Sequence, residues 1–182
     1  SKYYDIYSFN LETEKEERLT FDSRAYSPVF ISKDSSIAFI STYDGGQNLN
    51  LFNLKTKKSR QITKFDERPM ISHLNYDELS HSLYFDITFH HFREIYNYNL
   101  NDSAITAFKN NTLYDERNMA IDSFSGIKIY SRDKSGIFNL YMIDEKNESE
   151  GYISNVTGGA FMPDISNDGK VIFSLFQNGG YK

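Results

Sequence analysis

A repeat of about 45 residues runs through this chain, and it restricts the possible fold more than any other feature of the sequence. Residues 37–40 (IAFI) match residues 83–86 (LYFD) at an offset of 46. Further copies of this apolar segment begin at Ile127 and Val171, each 44 residues after the copy before it. A period of this length is typical of folds in which each repeat forms one small structural unit stacked on the next.

The sequence pattern of each repeat predicts four short antiparallel strands and no amphipathic helix. The second strand is a nearly continuous apolar run, as in 171–175, and is expected to be covered on both faces. The third strand alternates, as in 48–51, after a turn such as 44–46 (DGG). The fourth strand carries Leu-Thr or a similar pair, seen at 19–20 and 62–63 and assigned at 155–157 (NVT) in the third repeat.

Four strands per 40–45 residues is the period of a β-propeller blade. Blades pack face to face, so large flat side chains fill the space between them, which accounts for 14 Tyr and 15 Phe in a chain without Trp. Eight second-strand side chains are expected to be buried. They are Ile37, Phe39, Leu83, Phe85, Ile127, Ile129, Val171 and Phe173.

The repeat resembles the TolB-like, WD-like propeller repeat. The pattern Pro-x-x-Ser-x-Asp-Gly-Lys, followed by an apolar strand, is matched at Pro163, Ser166, Asp168, Gly169, Lys170, Val171 and Phe173. A looser copy has Pro28, Ser32, Asp34, Ile37 and Phe39, and an Asp-Ile-Tyr strand occurs at 5–7. The resemblance covers the whole chain, although the repeats from Met70 and Met119 lack the Asp-Gly turn.

We therefore predict an all-β propeller with three complete blades and two half-blades, four blades' worth in all. The predicted boundaries are a half-blade at 1–25, blades at 26–69, 70–118 and 119–162, and a half-blade at 163–182. We expect the chain to be part of a larger propeller. The alternative is that the two halves pair with each other in a closed four-bladed ring.

Composition and motifs exclude several functions. The chain has no Cys, hence no disulfide scaffold or catalytic thiolate, and its net charge of −5 argues against nucleic-acid binding. No apolar run approaches the 18 residues of a membrane span, so no membrane insertion is expected. No nucleophile elbow, metalloprotease, phosphate-loop or EF-hand motif occurs, so we predict no catalytic residue, no metal site and no cofactor.

The candidate binding residues form a repeated motif, aromatic-Asp-x-Arg, between a fourth strand and the next first strand. Its charged residues are Asp22, Arg24, Asp66, Arg68, Asp115 and Arg117. In a propeller this loop runs from the rim of one blade to the axis of the next, so the three copies are expected on one face. They form either salt bridges between blades or a ring of charge that binds a carboxylate-bearing peptide.

A second candidate lies at a hairpin tip. His90 and His91 replace the turn 44–46 of the preceding repeat, and Arg93 follows them. Adjacent residues of an extended segment point to opposite sides, so the two rings are poorly placed to chelate one metal. Either a surface loop or a partner contact fits this segment.

The resemblance implies a non-enzymatic binding or scaffold propeller of the bacterial cell envelope, in the periplasm. Such a module would bind a protein or peptide on its face or in its channel, alongside the remainder of a larger propeller or an envelope complex. One alternative is the gating propeller of a serine peptidase of the prolyl-oligopeptidase or tricorn type, with its catalytic domain outside this chain. Another is a carbohydrate-active propeller, and fold alone does not decide among them.

Overall fold

A computed structural model describes residues 3–31, 35–89, 92–109 and 113–181, and within them every regular element is a β-strand. The strands are β1 (Tyr7–Asn10), β2 (Lys15–Arg18), β3 (Ala25–Ile31), β4 (Ser36–Tyr43), β5 (Gly46–Asn53), β6 (Lys58–Gln61), β7 (Met70–Asp77), β8 (Ser82–Phe89), β9 (Phe92–Asn99), β10 (Ile105–Ala107), β11 (Glu116–Asp122), β12 (Ile127–Arg132), β13 (Asn139–Asp144), β14 (Ser149–Tyr152), β15 (Ala160–Ile165), β16 (Val171–Gln177) and β17 (Gly180–Tyr181). Nothing in these ranges is a helix that could cross a lipid bilayer.

The strands form small sheets in the order of the chain. Three sheets have four strands, and we call them repeat 1 (β3–β6), repeat 2 (β7–β10) and repeat 3 (β11–β14). A two-stranded sheet (β1 and β2) precedes them and a three-stranded sheet (β15–β17) follows them. This confirms the predicted all-β fold of four-stranded antiparallel sheets. The chain divides into two compact units, Ser1–Leu74 and Asn75–Lys182, with the boundary inside β7.

The turn at 44–46 forms as its sequence predicts. Asp44 and Gly45 have φ values of 48° and 77°, and Tyr43 pairs with Gly46 across the turn. Two consecutive positive φ angles define the tight hairpin whose twist matches that of the flanking strands. Asn178 and Gly179, with φ values of 53° and 77°, repeat this arrangement between β16 and β17.

Most of the second-strand side chains expected in the core are buried, but three are not. Ile37, Phe39, Leu83, Phe85 and Ile129 are at most 4% exposed. Ile127 and Val171 are only half-buried, and Phe173 is 40% exposed. Phe173 was predicted wrongly because β16 pairs on one side with only the two residues of β17, which leaves its side chains with few neighbours.

Ile127 was predicted wrongly because repeat 3 is shifted by one residue from the sequence alignment. Asn53 and Asp144 both end a third strand, where their side chains accept backbone N–H groups of the following turn. They lie opposite Ser36 and Ile127, respectively, on the second strands. Lys128, and not Ile127, is therefore the equivalent of Ile37.

A neutral side-chain clasp closes one end of the sheet in repeat 1 and again in repeat 3. The Asn48 side-chain oxygen accepts hydrogen bonds from the Thr63 hydroxyl (3.1 Å) and the Phe65 N–H (3.2 Å). Asn139 does the same with the Ser154 hydroxyl (2.9 Å) and the Val156 N–H (2.8 Å). Each hydroxyl in turn accepts the backbone N–H of the residue after the Asn, which is Leu49 for Thr63 and Leu140 for Ser154.

The clasp explains the Leu-Thr pairs of the sequence and corrects one assignment. Thr20 makes the same bonds with the Asp5 carboxylate and the Ile6 N–H before repeat 1. In repeat 3 the role belongs to Ser154, so the placement of the fourth strand at 155–157 was wrong; β14 ends at Tyr152.

Candidate functional site

The three copies of the aromatic-Asp-x-Arg motif do not occupy equivalent strand positions. Arg24 directly precedes β3 and lies 4.4 Å from the centre of the Tyr3 ring. Arg68 is exposed two residues before β7. Arg117 lies inside β11 and not in the loop, opposite Ser131. Its equivalent in repeat 1 is Tyr26, which lies opposite Ile40, so equal spacing in the sequence does not give equal placement in the sheets.

In the first unit, a different acid holds the loop that carries Asp22. The Asp22 side chain is exposed and lies 3.4 Å from Arg18, whereas Asp5 is enclosed and lies 2.5 Å from the same guanidinium. Burial alone would raise the pKa of Asp5, but the Ser23 N–H, Arg18 and Thr20 hydrogen bonds outweigh it and hold that pKa below its usual range. Asp66 is exposed in the corresponding loop after Thr63.

In the second unit, Asp115 connects three loops at one end of the sheets. Its backbone N–H donates to the Asp133 carboxylate (2.8 Å), and its own carboxylate accepts the Arg93 N–H (3.1 Å) and an Arg117 guanidinium N–H (2.5 Å). The Arg117 guanidinium also lies 4.3 Å from the centre of the Phe138 ring. The β8–β9 hairpin, the β10–β11 connection and the β12–β13 hairpin are thus joined. We call this end of the second unit the loop face.

A buried carboxylate lies directly beneath the loop face. Asp86 is 1% exposed, accepts the Asn118 N–H on both oxygens (3.1 and 3.0 Å) and pairs with the Arg93 guanidinium at 2.5 Å. Burial raises the pKa of Asp86 to about 6, although Arg93 and the Asn118 N–H both favour the charged form. Asn118 has a φ of 59° at the bulge of β11, so Asp86 also secures a backbone conformation that is unusual for a non-glycine residue.

A second ion pair crosses β11 and β12 beside this network. Glu116 pairs with Arg132 at 3.2 Å, and the Arg132 guanidinium lies 4.6 Å from the centres of both the Tyr114 and Tyr141 rings. Burial raises the pKa of Glu116 to about 7 against the attraction of Arg132. The equivalent pair in repeat 1 is Ala25 opposite Ser41, so the acid and the base are both departures from the repeat.

Repeat 2 departs from its neighbours at four positions near the loop face. Asp86 stands where repeat 1 has Ile40 and repeat 3 has Ser131. Glu94 and Lys109 stand where the other repeats have the clasp residues, and Arg93 takes the place of Gln47. The Lys109 ammonium pairs with Glu150 at 2.8 Å. Sequence reasoning selected Arg93 but missed Asp86, although the alignment of residues 37–40 with 83–86 already put an acid opposite an isoleucine.

The other candidate residues are placed as follows. His90 and His91 lie outside the described residues. Within the described ranges, no group of three or more His, Cys, Asp or Glu side chains is arranged to hold a metal ion. A buried cluster at the opposite end of the second unit is paired internally, with Lys128 lying 3.1 Å from Asp77 and 2.7 Å from Glu145.

Comparison with known proteins identifies the fold. No known family model matches the sequence, and no curated protein matches it. TolB from Acinetobacter baumannii matches in structure with a TM-score of 0.77 and 19% identity, over 97% of this chain and 44% of that protein. A puromycin-hydrolyzing peptidase from Mycobacterium tuberculosis gives 0.68 and 12%, over 87% of this chain and 27% of that protein.

A third similar structure is an oligogalacturonate lyase from Vibrio parahaemolyticus, with a TM-score of 0.63 and 14% identity, over 93% of this chain and 52% of the lyase. The chain thus spans about half of these proteins or less. At such identities the similarity concerns the fold, and it confirms the TolB-like propeller architecture indicated by the repeat.

Proposed function

We propose that this chain is a binding module of a β-propeller protein, which recognises a protein or peptide partner and performs no reaction itself. The observation that carries the proposal is the Asp115 network, which joins Arg93, Asp115 and Asp133 of three loops of the second unit. Loops on a rigid sheet scaffold are the usual location of binding residues. Side chains held in place before binding lose little entropy when a partner arrives.

The composition of the loop face supports a protein or peptide partner. Arg93 and Arg117 are each 24% exposed at the side chain, and Phe138 supports the second of them. Arginine and aromatic side chains are enriched among the residues that dominate protein interfaces. By the resemblance to TolB-like propellers, we further propose a location in the bacterial cell envelope, with the remainder of a propeller or an envelope complex as the setting.

Selection of random peptides displayed on phage, using the folded chain as bait, tests this function. We expect an enriched peptide to bind the wild type in calorimetry and to bind Arg117→Ala about tenfold or more weakly. Arg60→Ala is the matched control, because Arg60 is exposed on β6 in the first unit, and it should bind as the wild type does.

Two outcomes would contradict the proposal. One is that no peptide is enriched over an empty matrix. The other is that the chain hydrolyses a peptide or cleaves an oligogalacturonate substrate, which would favour a catalytic role instead.

A further inference from the structure

Three tyrosines and an arginine line a pocket that lies wholly within the first unit. The pocket has a volume of about 510 Å³, and its walls are Tyr3, Tyr4, Arg24, Tyr26 and Thr42. Ligand pockets of proteins typically enclose about 300–1,000 Å³ and combine mostly apolar walls with a few polar groups. The size and the lining of this pocket therefore suit one ring-bearing group of a ligand.

Two hydrogen bonds to backbone groups hold the walls of the pocket in place. The Tyr26 hydroxyl donates to the Ile71 carbonyl (2.8 Å), and the Ala25 N–H donates to the Tyr4 carbonyl (3.0 Å). Burial raises the pKa of Tyr26 to about 12, so its phenol stays uncharged at neutral pH and does not repel an anion. Walls that are ordered in advance lose little entropy when a ligand binds.

Arg24 gives the pocket a positive charge that the rest of the described chain does not neutralise. Four other arginines pair with carboxylates, namely Arg18, Arg93, Arg117 and Arg132. Among the residues that the structure describes, Arg24 has no carboxylate partner, and its guanidinium lies 4.4 Å from the centre of the Tyr3 ring. Stacking uses the flat face of a guanidinium and leaves its in-plane N–H groups able to hold a carboxylate at two points.

We propose that this pocket binds the C-terminal residue of a peptide when that residue is aromatic, with its carboxylate on Arg24 and its ring against the tyrosines. Paired aromatic rings gain more than their buried area alone supplies. A free amino acid fits less well, because it would bring an ammonium group close to Arg24 and none of the five lining residues is an acid. In a peptide the same nitrogen is an uncharged amide. The inference rests on the proposed function in that the ligand is a peptide, but it concerns the first unit, whereas the loop face belongs to the second.

Small compounds test the carboxylate and the ring separately. N-acetylphenylalanine is the probe, its C-terminal amide lacks the charge, and N-acetylalanine lacks the ring. We expect both of these controls to bind the wild type at least about fivefold more weakly than the probe in NMR titrations. Free phenylalanine should also bind more weakly than the probe, and equal binding would contradict a peptide ligand.

Two pairs of variants locate the site. Arg24→Gln should abolish the preference for the acid over the amide. Arg68→Gln should keep it, because Arg68 has the same φ of 48° but lies beside Gly45 and not beside an aromatic ring. Tyr4→Ala should weaken binding of the probe by about threefold or more, and Tyr43→Ala should leave it unchanged. Tyr4 and Tyr43 are 82% and 81% exposed, so neither change should disturb the fold.

Two results would overturn the inference. One is equal affinity of the wild type for the acid and the amide, and the other is a preference for the acid that survives Arg24→Gln. The function proposed for the loop face is tested separately, because peptides displayed on phage are joined to the coat protein through their C-terminus and offer no free carboxylate there. Enrichment of such peptides without binding of N-acetylphenylalanine would leave that function standing and remove only this inference.

Discussion

Repeats 2 and 3 carry different polar groups at the same end of the sheet. Repeat 3 uses neutral groups, the Asn139 amide and the Ser154 hydroxyl. Repeat 2 has Glu94 and Lys109 in those positions, and it carries an ion pair between the buried Asp86 and Arg93 on its second and third strands. The neutral clasp recurs in repeat 1, so it is sufficient to close a sheet of this kind.

The difference separates positions that hold the fold from positions that serve another purpose. Replacing a buried ion pair by neutral or apolar groups is often without cost to stability, so the pair in repeat 2 is not needed to close the sheet. Its distinct effect is to hold Arg93 against the β10–β11 connection, where the Arg93 N–H reaches Asp115 at 3.1 Å. We therefore attribute the departures of repeat 2 to the loop face.

The largest expected effect concerns a strand position at which repeat 2 and the last sheet both have phenylalanine but differ in burial. Phe85 and Phe173 occupy the same strand position, yet Phe85 is 1% exposed and Phe173 is 40% exposed. Phe85→Ala should lower the free energy of unfolding by about 3–5 kcal/mol. Phe173→Ala should lower it by about 1 kcal/mol or less, since little of its surface leaves water. Urea unfolding of both variants measures the difference, and equal losses would contradict the assigned packing.

Removing one partner of the ion pair should be costly. Arg93→Gln leaves the Asp86 carboxylate buried and without its countercharge, so we expect a loss of about 3 kcal/mol at pH 8. Asp86→Asn in the same chain should restore most of that loss, because the amide oxygen still accepts the Asn118 N–H. Urea unfolding of the single and double variants measures both steps; a double variant no more stable than the single one would argue against a charge effect.

The buried acids should reverse the usual response to mild acid. Burial raises the pKa of Asp86 to about 6 and that of Glu116 to about 7, above the 3.8 and 4.5 of the unfolded chain. The folded state thus binds more protons in this range, and its stability is lost as pH rises through these pKa values. We expect unfolding to become easier by about 2 kcal/mol from pH 6 to pH 8. The Asp86→Asn/Glu116→Gln variant should show a flatter profile, and a wild type that is more stable at pH 8 would contradict the assignment.

The neutral clasp should have the smallest effect. Asn139→Ala removes an acceptor of two hydrogen bonds, from the Ser154 hydroxyl and the Val156 N–H, and should cost about 1 kcal/mol. Asn139→Asp should be tolerated, because Asp5 makes the same bond with Thr20. Thermal melting of the two variants distinguishes them, and a loss from Asn139→Asp equal to that from Asn139→Ala would show that a carboxylate does not replace the amide oxygen as acceptor.

Periodicity was sufficient to predict the sheets because each of the three four-stranded repeats buries its second strand. The 46-residue offset between Phe39 and Phe85 corresponds to a true equivalence, and both side chains are 1% exposed. In repeat 3 the apolar run begins one residue early, at Ile127, and the buried ion pair of Lys128 with Asp77 occupies what is elsewhere an apolar position. Composition alone does not reveal such a pairing, because the partner lies on another strand.

The candidate site was only partly predictable for a related reason. Asp115 and Arg117 of the aromatic-Asp-x-Arg motif form a pair, but Arg24 and Arg117 lie at different positions relative to their first strands. The length of the loop between two strands decides where a motif residue lies relative to the next strand. The spacing within a four-residue motif carries no information about that length. Asp86 was detectable as an acid aligned with Ile40 of repeat 1, whereas the role of Glu116 depends on Arg132 across the sheet.

The central claim is that the ion pair of repeat 2 exists for the loop face and not for the fold. The most direct test is the neutral double variant Asp86→Asn/Arg93→Gln, measured for both urea unfolding and affinity for the phage-selected peptide. We predict a free energy of unfolding within about 1 kcal/mol of the wild type and a peptide affinity at least tenfold weaker. A loss of more than about 3 kcal/mol in stability with unchanged affinity would show that the pair is structural and would contradict the claim.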